Sequence, residues 1–225
     1  MAEDILARAA GFDRHWRRCL DLGAHDGRLA RRLRADTVLT CDCTSAFRPD
    51  IVAEEDRLPF ANAAFDLIVS AGSLDTVNDL PGALVQLRRA LVPGGVLLAS
   101  FVGGASFAAL RSQLSGAVVA ATGTAQPLLH PMIDAREAPA LLQRAGFAEP
   151  VVDVHQTVVR YRDVAAMLRD VRSMGASNIL DLRSRRPLTR VVYGALLSAM
   201  ETLRDLEHRI PVDVELITLT GKAPA

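Results

Sequence analysis

Cys19-Leu20-Asp21-Leu22-Gly23-Ala24-His25-Asp26-Gly27 decides how the rest of the chain is read. A short apolar strand runs up to Asp21, and a glycine turn follows. Arg28-Leu29-Ala30-Arg31-Arg32-Leu33 then continues as a helical pattern, with Leu29 and Leu33 on one face. In an open parallel sheet the ligand crevice lies beyond the carboxyl ends of the strands. Glycines there permit positive φ and close backbone approach. The first turn of a following helix offers unpaired N–H groups to the same crevice. The loop is therefore read as the holder of a nucleotide-like cofactor.

The pattern extends in both directions. Residues Glu3 to Ala10 read as a short helix ended by Gly11. After the glycine loop, Thr37-Val38-Leu39-Thr40-Cys41 is a second strand ending at Asp42, and a short third strand around Ile51-Val52-Ala53 ends at Glu54 and Glu55. Phe65 to Ser70 is a fourth strand, apolar apart from Asp66, as expected of a strand covered on both faces. Asn78-Asp79-Leu80-Pro81 opens a helix with a cap residue and an early proline, and Leu80, Leu84, Leu87 and Leu91 follow at helical spacing. Pro93-Gly94-Gly95 turns the chain into Val96–Val102, an almost wholly apolar strand expected at the sheet centre. Alternation of strand and helix from residue 17 to 102 argues a parallel, doubly wound α/β sheet.

The second half reads differently. Helical patterns cover 106–122, 135–145, 162–174 and 187–208, and strands cover 151–159 and the alternating run around Val212 to Leu216. Val212, Val214 and Leu216 alternate with Asp213 and Glu215, so the last strand is expected to face solvent on one side. The helices between Arg162 and His208 interrupt the last two strands and read as a lid or insertion. No internal repeat or low-complexity segment is present.

The 225 residues suit one domain. The 26 basic residues balance the 26 acidic ones, which gives no push toward nucleic acid or an acidic membrane. Lys222 is the only lysine, a matter of genome composition before function. Cys19, Cys41 and Cys43 lie in or beside strands without metal spacing, which points to buried thiols and a reducing compartment. With no signal pattern and no apolar run of spanning length, a cytoplasmic protein is expected. His15, His130, His155 and His208 are scattered, so no local metal site is expected.

Asp42 follows Asp21 by roughly the 20 residues that separate a glycine loop from a ribose-binding acid. Its other reading is a turn-forming residue at a strand end. Glu54 or Glu55 suits an adenine amine, or else belongs to a solvated acidic turn. Ser70 lines the same crevice or simply ends its strand. A nicotinamide dinucleotide site competes, but it needs G-x-G-x-x-G, and His25 stands two places after Gly23 with no glycine at the sixth position.

Asp21-Leu22-Gly23-Ala24-His25-Asp26-Gly27 resembles the D-L-G-x-G-x-G signature of class I S-adenosylmethionine-dependent methyltransferases. Glu54-Glu55-Asp56-Arg57-Leu58-Pro59-Phe60 followed by Phe65-Asp66-Leu67-Ile68-Val69-Ser70 is similar to their D-x-x-x-L-P-F and F-D-L-V-x-S block, and Leu91-Val92-Pro93-Gly94-Gly95 to their L-x-P-G-G turn. Val77-Asn78-Asp79-Leu80-Pro81 and Arg169 to Asn178 resemble one subgroup. It holds the malonyl-carrier-protein methyltransferase of biotin synthesis and bacterial relatives of the mitochondrial complex I assembly factor, an arginine hydroxylase. The chain looks closer to the assembly-factor side. The resemblance implies a Rossmann-like methyltransferase fold over 1–225, with a mostly parallel seven-stranded sheet, an antiparallel last strand and a helical lid insertion near 162–208. Residues 1–104 would be the cofactor-binding half and 105–225 the substrate-side half.

Carried over residue by residue, the resemblance implies S-adenosylmethionine as cofactor. Gly23 and Gly27 would shape the loop under its amino-acid part, with Asp21 near the amino group. Asp42 would hold the ribose, Glu54 and the Glu55 backbone would meet the adenine, and Ser70 would lie near the sulfonium. Ala24 and Cys43 also fall on the cofactor. Partners would be a methyl acceptor of unknown kind and a carrier protein or respiratory subunit. Arg183, Arg185, Arg186 and Arg190 would contact such an acidic partner, or else form a solvated helix entrance.

Three features depart from the family pattern. His25 replaces its middle glycine, either pointing to solvent or altering the methionine end of the pocket. Where relatives carry Ser-Leu-His-Trp, this chain has Ser73-Leu74-Asp75-Thr76, so a base and an aromatic wall are gone and Asp75 is the one catalytic candidate, or a turn residue. Relatives also carry an N-terminal helical extension over the cofactor, and the sequence read here begins at about its end. Methyl transfer needs little beyond alignment of a nucleophile with an activated methyl, so an active enzyme remains the leading expectation. An assembly factor that modifies or chaperones a respiratory subunit, and a non-catalytic binding relative, stand as the alternatives.

Overall fold

The computed structural model describes residues 1–124, 128–175 and 189–225. Helix α1 (Ala2–Gly11) precedes β1 (Trp16–Leu22), β2 (Ala35–Asp42), β3 (Ile51–Val52) and β4 (Phe65–Ala71). Then come α2 (Leu80–Ala90), β5 (Leu91–Val102), α3 (Ala108–Thr122), α4 (Ala138–Arg144), β6 (Ala148–Tyr161), α5 (Val164–Ser173), α6 (Arg190–Glu201) and β7 (Ile210–Lys222). The seven strands form one sheet in the order β3-β2-β1-β4-β5-β7-β6. The pairs β2–β3, β1–β2, β1–β4 and β4–β5 are parallel, and β7 enters antiparallel to β5. The strand order reverses between β1 and β4, which is where an open sheet leaves a crevice.

The middle place belongs to β4, not to β5 as its apolar run suggested. Every residue from Phe65 to Ser70 is buried. The charge of Asp66 is accommodated because its carboxylate accepts the N–H groups of Arg17 (2.7 Å) and Arg18 (3.0 Å) at the start of β1.

The described chain divides into two compact units. The first holds Met1–Val102, Ile133–His155 and Leu216–Ala225. Side chains alternate across its sheet with the period of two that a strand imposes. Leu20, Leu22, Ile68 and Leu97 join Leu84, Leu87 and Leu142 of α2 and α4 on one face. Cys19, Leu67, Val69, Val96 and Leu98 join Ile5 and Ala9 of α1 on the other. The second unit holds Gly103–Met132 and Gln156–Glu215, where α3, α5 and α6 pack through residues such as Leu110, Leu114, Val164, Leu168, Val171 and Leu196.

Several sequence expectations are corrected. The helix expected after the glycine loop is a single 3-10 turn, Ala30–Arg32. Only Arg28 to Arg34 separate Gly27 from β2, and the chain must return along strands paired from Trp16↔Ala35 to Leu22↔Cys41. Seven helical residues would rise about 10 Å, whereas six strand steps cover about 20 Å. A full helix would fall short of the start of β2, so the turn ends at Arg32 and Leu33 continues as extended backbone (φ −68°, ψ 134°). On β7, Asp213 is exposed as expected, but Glu215 is buried, because its backbone N–H donates to Ser106 Oγ (2.8 Å) and its Oε1 accepts from Ala105 N (3.3 Å). From Ile217 to Leu219 both faces are covered, because Ile217 and Leu219 join the core on the side of α2 and α4 while Thr218 Oγ1 donates to Asp4 Oδ2 of α1 (3.1 Å). The last helix stops at Glu201, and Asp205 then takes the N–H groups of Glu207 and Arg209 to lock a turn. Cys19 and Cys41 are buried, whereas Cys43 is exposed just past the end of β2. No described helix is long and apolar enough to cross a membrane.

Candidate functional site

The crevice residues come from the carboxyl ends of adjacent strands. Asp21 and Leu22 close β1, Asp42 closes β2, and Ser70 lies one residue before the end of β4, with Leu22 level with both Cys41 and Ser70. The glycine loop is anchored at once, because Gly23 N and Ala24 N both donate to Cys41 O (2.8 and 3.1 Å). Gly27 N then donates to Ala24 O (2.8 Å). Gly23 has φ 67° and Gly27 has φ 68°. A Cβ on Gly23 would overlap Ser73 Cβ and Oγ and lie 3.6 Å from Glu55 Oε1. Both backbone conformation and space demand glycine there.

The carboxylates of this end of the sheet are close enough to feel one another. Asp21 is 1% exposed and accepts the Ala30 N–H (2.9 Å), so it caps the turn that replaces the expected helix. Burial pushes its pKa up to about 6; the Ala30 N–H opposes the shift and the charge of Asp42 adds to it. Asp42 is 2% exposed and holds the loop by both oxygens, accepting from His25 N (2.9 Å) and Thr44 N (3.0 Å). Glu55 is half-buried, and burial followed by the Asp42 charge raises its pKa. Although Cys43 is exposed, partial loss of solvent around its sulfur, then the charges of Glu55 and Asp42, raises the pKa of its thiol.

Asp21, Gly23, Ala24, Asp42, Glu55 and Ser70 are thus brought to one end of the sheet, with Gly27 closing the loop. Glu54 is exposed, its carboxylate turned to Arg57 at 3.8 Å. Ser70 Oγ and Ser73 Oγ form a buried hydrogen bond of 2.9 Å. Asp75 sits in the 3-10 turn Leu74–Thr76 that follows β4 and is 7% exposed.

His25 stands at φ 45°, a left-handed conformation that histidine tolerates better than most residues. Its ring turns toward Asp42 (Nδ1 to Oδ2, 3.6 Å) and meets Phe47 edge-on, with centroids 5.6 Å apart. The ring is more than half exposed, in keeping with the solvent-facing reading, and its contacts lie at the Asp42 end of the loop. Two neighbours escaped the sequence reading. Ser73 was visible only as part of the Ser73-Leu74-Asp75-Thr76 run. Phe47 was a lone aromatic in a polar loop, and that oddity was its one available signal.

The run Arg169 to Asn178 is described only to Gly175, and Arg183, Arg185, Arg186 and the start of the 187–208 helix lie outside the described residues. Arg190 begins α6 and is exposed. A cavity of about 760 Å³ opens at the other end of the sheet, lined by Phe12, Arg14, Trp16, Arg32 and Arg34 among others. It lies where the chain from 28 to 34 is too short to lay a helix.

Asp21 and Asp75 give the fold a pH dependence. Burial is the first cause for both, and both carboxyls are pushed up to about 6. An unfolded aspartate titrates near 3.9. The folded state therefore holds these protons more tightly, and stability falls as pH rises through roughly 4 to 6. Above that window the two ionised carboxylates each cost on the order of 3 kcal/mol. The Asp21→Asn, Asp75→Asn double variant should gain in unfolding midpoint over wild type at about pH 7.5 and lose most of that gain by about pH 4. A gain independent of pH would contradict the burial of these charges.

Residues 1–151 match the family model described as a methyltransferase domain. A mouse protein, arginine-hydroxylase NDUFAF5, mitochondrial, is 30% identical over 96% of this chain and 67% of its own length. A malonyl-[acyl-carrier protein] O-methyltransferase of Xylella fastidiosa is 32% identical over 77% of this chain, which spans 57% of that relative. The zebrafish arginine-hydroxylase NDUFAF5 is spanned over 54% of its length, so this chain covers between about half and two thirds of these relatives. A solved phosphoethanolamine N-methyltransferase 2 of Haemonchus contortus, in complex with S-adenosyl-L-methionine, shares the fold with TM-score 0.58 at 15% identity, over 100% of this chain and 52% of that one.

Proposed function

The chain belongs to the methyltransferase-domain family, and from that premise we propose that it transfers a methyl group from S-adenosylmethionine to an acceptor. The observation that carries this reading is the joint placement of Asp21, Asp42 and the Gly23–Gly27 loop at the switch point between β1 and β4. The residues fit the cofactor. Gly23, at φ 67° with Ser73 packed against its α-carbon, gives the loop a turn that only glycine allows. The charge of Asp42 adds to the cost of ionising both Asp21 and Glu55, a cost that a ligand bearing an ammonium and a sulfonium relieves.

Asp42 would hold the ribose hydroxyls, Asp21 the amino group, and Glu55 with Glu54 the adenine side. Ala24, Gly27 and Cys43 would border the same ligand, and the Ser70–Ser73 pair would lie near the sulfonium. When bound, S-adenosylmethionine supplies an already electrophilic methyl, so the chain's own task is to orient it and keep water away. The substrate-side role of 105–225, with its insertion near 162–208, and a cytoplasmic place of work belong to the same proposal.

The acceptor has two readings. The Xylella relative's name points to a carrier-bound acid. The mouse relative's name points to an arginine, and its match extends over 96% of this chain. Calorimetric titration with S-adenosylmethionine and S-adenosylhomocysteine is expected to give saturable binding. Mass spectrometry of candidate acceptors then separates an added methyl from an added oxygen. No heat of binding with either ligand would remove the methyl-transfer reading.

A further inference from the structure

The cavity of about 760 Å³ at the amino ends of β1 and β2 takes no part in the cofactor reading. Its apolar lining comes from Leu6 and Ala9 of α1, from Phe12 and Trp16, and from Leu33. Arg14, Arg32 and Arg34 stand among them. Arg32 is already engaged, because both its terminal nitrogens donate to Glu3, and His15 takes Asp36 at 2.7 Å. Arg14 is held in place without being paired. Its Cζ lies 4.6 Å from the centroid of the Trp16 ring, and its Nη1 donates to Gly94 O (2.9 Å). Trp16 is itself fixed, with Nε1 donating to Ala9 O (3.2 Å) and the Phe12 ring edge-on at 5.7 Å. Among the described residues no carboxylate comes within 4.0 Å of the Arg14 or Arg34 guanidinium. Asp13 is the one acid in the lining and pairs with neither. Small-molecule sites are clefts of about 300–1,000 Å³, apolar with a few placed polar groups, and this cavity has that character.

We propose that this cavity binds a small carboxylate with an apolar body, Arg14 and Arg34 taking the carboxylate and the surface of Phe12, Trp16 and Leu33 taking the body. The proposal stands apart from methyl transfer, since Asp21 and Asp42 lie at the opposite ends of the same strands. A guanidinium presents its N–H groups as a planar fork that matches the two oxygens of a carboxylate. Arg14 is pre-organised by the indole and the Gly94 carbonyl, so binding orders it little further. Burial of an apolar body against the aromatic and aliphatic lining contributes the rest. A neutral ligand would leave the two guanidiniums without an acceptor. A cation would meet two positive charges against the single acid Asp13. The room exists because residues 28–34 make one 3-10 turn where a helix would have lain beside β1.

Trp16 is the only tryptophan, so its fluorescence reports from the lining of the cavity. Octanoate, n-octanol and n-octylammonium are each titrated into the whole protein, with and without S-adenosylhomocysteine. Octanoate should change the Trp16 emission saturably and bind about tenfold or more tightly than octanol, with octylammonium weaker than either. Arg34→Gln, at an exposed position, should weaken octanoate binding by roughly threefold to tenfold and leave octanol unchanged. The Arg14→Gln, Arg34→Gln double variant should bring octanoate down to the level of octanol, and Asp13→Asn should tighten octanoate. S-adenosylhomocysteine should leave the octanoate affinity as it was. Equal binding of octanoate and octanol, octanoate binding indifferent to the double variant, displacement of octanoate by S-adenosylhomocysteine, or no saturable change in Trp16 emission would overturn the proposal. Octanoate binding that follows this pattern while S-adenosylhomocysteine fails to bind would support the carboxylate site and sink the methyl-transfer reading alone.

Discussion

Asp42→Ala is expected to weaken S-adenosylmethionine binding by about a hundredfold or more. The estimate follows from what a ribose diol gains at an ionised carboxylate. Each hydrogen bond to a charged group contributes about 1.5–3 kcal/mol, and about 1.4 kcal/mol is tenfold in affinity. Two such bonds reach a hundredfold at the low end. Asp42 also secures the loop, since its oxygens take the His25 and Thr44 N–H groups. Circular dichroism and calorimetry on the same preparation separate the two roles. A folded Asp42→Ala protein that binds within about threefold of wild type would remove Asp42 from the ribose site. Asp42→Asn, which keeps one oxygen acceptor, should fall between the two.

Gly23→Ala is the second large effect, and it concerns the scaffold. The added methyl overlaps the Cβ and Oγ of Ser73, and the backbone sits at φ 67°. The conformational term alone is about 1–2 kcal/mol. Relief of the overlap requires moving Ser73, which breaks its buried bond to Ser70 and adds about 1 kcal/mol or more. A loss of about 3 kcal/mol corresponds to a drop of roughly 6–12 °C in unfolding midpoint for a chain of this size. Pairing Gly23→Ala with Ser73→Gly should recover the steric part and leave the conformational part. A single variant that melts within about 2 °C of wild type would show that the loop has freedom that this packing denies.

The parts of this molecule that the sequence disclosed are those governed by local rules. Apolar runs, broken in β4 only by Asp66 before its closing Ser70, marked β4 and β5, the Asp79 cap and Pro81 marked α2, and the spacing of Asp21 and Asp42 placed two carboxylates at neighbouring strand ends. What stayed hidden depends on distance along the chain. Leu29 and Leu33 have helical spacing, but the length of the parallel pair β1–β2 overrules that pattern. Glu215 alternates as a solvent residue should, yet Ser106, over a hundred positions away, draws its backbone inward. Cys43 escapes burial because its strand ends one residue earlier. The fit of Ser73 against Gly23 joins positions fifty apart, and the rise in the pKa of Asp75 comes from surroundings that its own turn does not supply. Arg183, Arg185 and Arg186 fall outside the described residues and add nothing to either side.

Asp66 has a consequence beyond the two bonds that it accepts. Without it, β4 would read Phe65, Leu67, Ile68 and Val69, apolar toward both layers. Such a ribbon matches its neighbours almost as well after sliding two residues, because facing remains the same. The carboxylate removes that degeneracy: only one alignment delivers it to the free N–H groups of Arg17 and Arg18, and every slipped one strands a charge against hydrocarbon. The single acid in the central strand thus acts as an index mark. It sets β1 and β4 in the register that pairs Asp21 with Val69 and Leu22 with Ser70, so Asp21 and Ser70 both reach the same rim.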